Sequence, residues 1–231
     1  MQPIDRTFGE HFLTCVEDFS NYGVHLLFNE WWASAPQSVI DQYVDAIENH
    51  PEQGPLARAG WLEPSFDIGR VEACEPGTLG AAYREFMTTH DLAEKLAEGY
   101  RELHEDVKGT GKLSRMPDTL QYKILRGYQT HDIHHVLTGY PPTPFGELAL
   151  QAFGLAQTQY PYAGMWMAVA TAHMTFVDPS LMNGAMDAIC DGWTRGKATR
   201  SIQFVVFESM FDRPLADVRE EFAVNPTSMR N

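Results

Sequence analysis

The chain has 231 residues, 44% of them hydrophobic and 21% charged, which suits a folded domain with a substantial core and excludes a disordered chain. Its 17 Lys and Arg against 31 Asp and Glu leave a net charge of −14. Such acidity argues against a reader of nucleic-acid phosphates and weakens electrostatic docking on anionic headgroups, so any membrane contact has to be hydrophobic.

The N-terminus, MQPIDRTFGEHF, has neither a basic stretch nor an apolar run, so no secretory signal or transit peptide is expected. HFLTCVEDF (11–19) opens a helical region that is expected to continue through VIDQYVDAIENH (39–50). His50-Pro51 ends it, because the residue before proline avoids helical geometry. Residues 51 to 77 are rich in Gly, Pro and acids and read as loop. TLGAAYREFMTTH (78–90) reads as a helix with Leu79, Tyr83, Phe86 and Met87 on one side, and a second helix is expected over 91–107. Its His90-Asp91 pair reads as solvated surface.

Asp118 is expected to cap the next helix, with Gln121 as its capping-box partner. Gly139 and Pro141-Pro142 stop that helix, and Thr143-Pro144 starts another. Further helices are expected at 163–176, 181–192, 198–211 and 214–223. β-Branched alternation is nearly absent, and no internal repeat occurs. The fold class is therefore all-α: one multi-helix bundle domain spanning 1–231. The longest apolar run, Ala163 to Val177, falls short of the ~20 residues that span a bilayer. Cys15, Cys74 and Cys190 are scattered and form no CxxC pair, so neither a disulfide framework nor a zinc finger is expected. The reading is a cytoplasmic protein, with room for peripheral contact on the inner membrane face.

The chemistry concentrates in THDIHHVLTGYPPTPFGE (130–147). At about 100° per residue, Leu120, Ile124, Tyr128, His131 and His135 fall in a sector of roughly 80°, read here as the buried stripe. His131 and His135 are one turn apart and can face a single ion. Asp132 flanks the sector on one side and His134 on the other, and helical geometry does not choose between them as a third ligand. Glu147 is the only charge in FGELALQAFGLA (145–156), and a carboxylate in such an apolar helix needs a cation, several hydrogen bonds or a proton. The turn between could bring Glu147 toward the histidines, giving a metal site between two helices joined by a Pro-rich turn. The plainer alternative is a hydrogen-bonded histidine cluster favoured by the helix C-terminus. Nitrogen and oxygen ligands without thiolate suit zinc, iron, manganese or cobalt and do not select among them.

At these residues the chain resembles the coenzyme Q (ubiquinone) biosynthesis protein 4 family, whose hallmark is HDxxH, eleven residues and Glu; here His131, Asp132, His135 and Glu147. PGTLGAAYREFM (76–87), GYQTHDIHHVLTGYPPTPFGELALQAFGLAQTQYP (127–161), GWTRGKATRS (192–201) and FESMFDRPLADVREEF (207–222) are similar to its other elements. Residues 1 to 69 carry no family motif. The resemblance implies an all-α fold, frequent homodimers and peripheral membrane association. It implies His131, Asp132, His135 and Glu147 as metal ligands, choosing Asp132 over His134. The implied chemistry is ubiquinone biosynthesis: oxidative decarboxylation of a polyprenylated benzoate-type precursor, in which the carboxylate at carbon one leaves and a hydroxyl enters. The lack of a visible presequence points to a bacterial member.

That chemistry makes sense of the residues. A metal holds an aromatic carboxylate or phenolate as a Lewis acid, and Glu147 or Asp132 could leave the metal or move a proton. No GxGxxG occurs, and KGTGKL lacks the spacing of a phosphate-binding loop. Met165, Trp166, Met167, Met174, Met182 and Met186 could line a groove for a prenyl tail, although core packing is the stronger expectation. Arg195, Lys197 and Arg200 read as a solvated face rather than an anion site. The alternative function is a non-catalytic prenyl-lipid scaffold that organises other quinone biosynthesis enzymes. A metal phosphohydrolase would need His104 and Asp187 at the same ion, and no spacing links them to it.

Overall fold

Helices run through the described chain: α1 (Arg6–Glu17), α2 (Gln37–Glu48), α3 (Gly54–Ala59), α4 (Leu79–Thr89), α5 (Asp118–Thr138), α6 (Pro144–Thr158), α7 (Pro161–Val177), α8 (Met182–Ala198) and α9 (Leu215–Glu221). This is a computed structural model, and it describes residues 5–18, 23–24, 27–28, 31, 35–62, 68–92, 94, 101–105 and 116–227. The fold is all-α. Among the described residues there is no strand, only an isolated bridge between Thr78 and Pro214.

Several expected boundaries shift, each for a local reason. The N-terminal helix stops at Glu17, where the Asp18 N–H bonds back to Thr14, and a separate helix begins at Gln37 after Pro36. The 51–77 loop contains six-residue α3, with proline in its first turn, closed by Gly60 at φ 60°, and a 3₁₀ turn at Ile68–Val71. Both are too short to show a period in sequence. The helix expected at 91–107 lies for the most part outside the described residues. Asp118 is not a cap: Pro117 is the N-cap, Asp118 is the first helical residue, and the Gln121 side chain donates to the Met116 carbonyl.

The expected helix at 198–211 is overturned. The chain leaves helix at Ala198, runs irregularly with Phe204 at φ 63°, and makes only a 3₁₀ turn at Phe207–Met210. Its carbonyls are engaged elsewhere. Ile202 O accepts from His134 and Val205 O from Arg126, while Ile202, Phe204 and Phe207 are buried. A continuous helix would spend those carbonyls on itself.

The helices fall into two compact units, each made of two stretches of chain. One comprises residues 1–45 and 144–197. In it α1 packs on α7 and α6 on α7, around Cys15, Val16, Val24, Leu27 and Val169. Phe28 meets Tyr160 and Tyr162 edge-on. α8 contributes Ala185, Ala188, Gly192 and Gly196 to the interior, and the two glycines lie against the backbone of α6 at Ala149 and Phe153. α7 is apolar on nearly every side, so it cannot bury everything it carries. Met165, Trp166, Met167, Met174 and Met182 are half-buried and Met186 is exposed, so none of the six sits fully in the core as expected.

The other unit comprises residues 46–143 and 198–231. α5 is its axis, with α3 and α4 packed on it and α9 packed on α4. Fourteen of the 21 residues of α5 are buried, including Lys123, Arg126, Gln129, Thr130, His134 and His135. Lys123, Arg126 and His134 survive burial because the 198–208 segment supplies partners, while Gln129 accepts from Arg126, Thr130 donates to the Arg126 carbonyl and His135 meets the Tyr140 carbonyl. Arg126 forks onto Glu208 at 2.6 and 2.8 Å, with side-chain exposures of 0% and 5%. Lys123 donates to Gln203 at 3.1 Å.

Candidate metal centre

The site grows from the last two turns of α5. Gly139, at φ 77°, ends the helix with its N–H on the His135 carbonyl, and Pro141-Pro142 prevents any continuation. The turn thus formed aims the Tyr140 carbonyl at His135, whose Nδ1 lies 2.9 Å from it. A carbonyl can only accept, so Nδ1 carries the proton and Nε2 presents its lone pair. Phe86 of α4 stacks on the His135 ring at 5.5 Å and 17°, which fixes the ring plane from the other side.

The His135 Nε2 faces the Nε2 of His131 at 3.2 Å, with the rings near perpendicular at 87°. Two ligand nitrogens about 2.05 Å from a tetrahedral zinc would be roughly 3.3 Å apart. The pair therefore already has the spacing of one edge of such a shell. A carboxylate oxygen of Asp132 completes a group of three whose ligand atoms all lie within 4.8 Å of one another. By donor type and spacing these residues fit a divalent ion.

Exposure also departs from the expected pattern. Ile124, Tyr128, His131 and Asp132 are half-buried, while most of the rest of α5 is buried. Of the stripe read as the buried one, Leu120 and His135 at its two ends are fully buried, while Ile124, Tyr128 and His131 between them stay partly open. Burial and then the Asp132 charge hold the Tyr83 phenol above its ordinary range. The same two causes act on Tyr128, together with Glu102. Both phenols thus have the Asp132 charge beside them.

His134 is placed elsewhere. It is buried, and its Nε2–H donates to the Ile202 carbonyl at 3.2 Å. Burial above all, and then the His131 charge, pushes it well below the usual histidine range, so it stays neutral. It is an interior hydrogen-bonding residue, and Asp132 is the one grouped with the two histidines.

Glu147 stands in the first turn of α6, half-buried and the only charge on that helix. With burial and Cys15 as the larger causes, its charge helps push the Tyr162 phenol up to about 12. His173 is occupied structurally, its Nδ1 bonded to the Val16 carbonyl at 2.7 Å. Arg195 pairs with Asp191 on its own helix, Lys197 lies over Trp193, and Arg200 reaches Glu52 and the Glu221 carbonyl.

Sequence reasoning missed a cleft of about 590 Å³ that borders the site at His135. Phe86, His90, Tyr140, Leu215 and Arg219 are among its walls. No periodicity could have found it, because α9 returns to the end of α5 only in three dimensions. Arg219 donates there to the carbonyls of Leu137 and Val136, capping α5 from outside.

Residues 115–228 match the family model described as coenzyme Q (ubiquinone) biosynthesis protein Coq4. The mitochondrial ubiquinone biosynthesis protein coq-4 of Neurospora crassa is 24% identical over 198 residues, covering 84% of this chain and 52% of that protein. The mitochondrial COQ4 homolog of Danio rerio is 23% identical over 184 residues, covering 78% of this chain and 62% of its own. The chain spans about half the length of the curated relatives it matches. A crystal structure from Nostoc punctiforme, of a protein provisionally assigned to ubiquinone biosynthesis, superposes with a TM-score of 0.73 at 22% identity. It covers 95% of this chain and 98% of that one, and the two share a fold.

Proposed function

Because this chain belongs to the coenzyme Q biosynthesis protein Coq4 family, we propose that it serves ubiquinone biosynthesis by oxidative decarboxylation of a polyprenylated benzoate-type precursor. In that reaction carbon dioxide leaves carbon one, a hydroxyl takes its place, and the two electrons released pass to an acceptor, of which dioxygen is the simplest. The observation that carries the reading is the facing of the His131 and His135 Nε2 atoms at 3.2 Å beside Asp132.

A zinc, iron, manganese or cobalt ion held there supplies Lewis acidity toward the substrate's carboxylate or phenolate. His131 and His135 offer neutral nitrogen donors, the second locked in its tautomer by Tyr140. Asp132 offers charge and an oxygen able to accept a proton. Glu147 is proposed as the fourth ligand and as an acid or base of the reaction, on the strength of its lone charge in an apolar helix. The same reading includes a homodimer, contact with other quinone biosynthesis enzymes and a cytoplasmic or peripheral membrane location. No helix among the described residues is long and apolar enough to cross a membrane.

The test is a lipid mass-spectrometric profile in a strain lacking the equivalent protein, complemented at matched protein levels with wild type, Glu147→Ala or His135→Ala. Accumulation of a prenylated ring that keeps its carboxylate supports catalysis at this site. If both variants restore quinone as wild type does, the metal site is not the working part, and a lipid-holding scaffold becomes the better account.

A further inference from the structure

The cleft beside His135 has walls of two chemical kinds. Phe86, Tyr140, Pro141 and Leu215 provide flat or apolar surface of the sort that holds an aromatic ring. Arg219 provides a guanidinium whose Nε and Nη2 are spent at 2.9 and 2.8 Å on the Leu137 and Val136 carbonyls. Those two bonds pin the side chain. They leave Nη1 as the nitrogen with no acceptor among the described residues, on a residue that borders the cleft. A guanidinium held in place before binding loses little freedom when it meets an anion, and its hydrogen bond to a carboxylate is charge-assisted.

We propose that this cleft binds the carboxylate-bearing end of an aromatic acid, with Arg219 as the anion anchor. The proposal deepens the function above and rests on its reading of the substrate as an aromatic acid. The volume of about 590 Å³ exceeds that of one substituted benzoate ring and leaves room for the first part of a tail. Glu85 also lines the cleft, on its exposed side, and its charge opposes an anion. The two residues therefore push binding in opposite directions and can be tested against each other.

The experiment titrates chelator-treated, metal-free protein with 4-hydroxybenzoate, with its neutral isostere 4-hydroxybenzamide and with inorganic phosphate, followed by ligand-observed NMR. Wild type should bind the acid about tenfold more tightly than the amide. Arg219→Gln should erase that preference, and Glu85→Gln, which leaves the helix cap untouched, should tighten the acid by about two- to threefold. Equal binding of acid and amide by wild type overturns the proposal. So does an acid preference that survives Arg219→Gln, or an acid affinity unmoved by Glu85→Gln. Phosphate that competes as well as the benzoate overturns it in favour of a phosphate reader. Because the protein is metal-free here, this outcome is separable from the lipid profile. A lost carboxylate preference beside an accumulated carboxylated lipid would mean that the substrate binds elsewhere. A clear preference beside normal quinone in Glu147→Ala would mean that the acid serves other chemistry.

Discussion

His131 and His135 point their Nε2 atoms at one another across 3.2 Å, while the next histidine in the chain, His134, turns to the Ile202 carbonyl. Three imidazoles in five residues thus have two different tasks, and single substitutions separate them. In His135→Ala, metal content should fall to background, and the melting temperature should no longer respond to chelator. In wild type, metal at a hundredfold excess over its dissociation constant adds about 2.7 kcal/mol, so chelation should lower the melting point by several degrees. His134→Ala should keep its metal and lose ~1–3 kcal/mol, because the Ile202 carbonyl is left buried without its donor. Metal analysis and thermal melts of the two variants check this, and a reversed pattern would reassign the ligands.

Arg126, five residues before His131 on α5, is fully buried, with its fork on Glu208 and the Trp61 ring 5.1 Å away. Removing one partner leaves a buried charge alone. Glu208→Ala should therefore cost about 3–5 kcal/mol, while the paired change Arg126→Met with Glu208→Leu should recover most of it. Urea denaturation of the single and double variants measures the difference. A Glu208→Ala variant within ~0.5 kcal/mol of wild type would show that the pair is not held as described.

These two clusters also mark how far the sequence could be read. The spacing of His131, Asp132 and His135 was visible because one helix sets it, and helical geometry is local. The stop at Gly139 and the restart at Pro144 were visible for the same reason. The partners of α5 were not. Ile202, Gln203, Val205 and Glu208 lie some 65 to 85 residues further on, in a segment whose apolar residues suggested a helix. That segment is irregular because its carbonyls answer Arg126 and His134, a tertiary demand that outweighs local propensity. Arg219 was hidden likewise: it looks like one charge on a short acidic helix until α9 is laid against the end of α5.

Lys123 gives a pH dependence whose sign follows from burial. Desolvation pushes its ammonium down to about 8, from the ordinary 10.5 of a solvated lysine. Below about pH 8 both folded and unfolded chains carry the proton, and the fold bears the full cost of the buried charge. Between about 8 and 10.5 the unfolded chain binds more protons, so this group's contribution to stability rises with pH across that window. Lys123→Met should thus be more stable than wild type at pH 7, on the order of 1–3 kcal/mol, even though the bond to Gln203 is lost. The gap should narrow as pH approaches 10.5. Denaturation curves at pH 7 and pH 10 test this, and a gap that widens with pH would mean that Lys123 is not buried in its charged form.

The last prediction concerns two kinds of glycine in the unit of residues 1–45 and 144–197. Gly192 lies directly against the Ala149 carbonyl of α6, and a side chain there has only backbone to displace. Gly192→Ala should cost ~1–3 kcal/mol through overpacking, more than any gain in helix propensity returns. Gly154 and Gly164 also lie inside helices, α6 and α7, but a Cβ at either meets nothing within 4 Å. Their alanine variants should be stabilised by about 0.5–1 kcal/mol each, because alanine has less freedom to lose on folding. The two sites lie on different helices with open space at each, so the double variant should gain close to the sum. Thermal melts of the four variants decide it. A destabilised Gly154→Ala would place an unrecognised neighbour on that face, and a tolerated Gly192→Ala would show that α6 and α8 can part without cost.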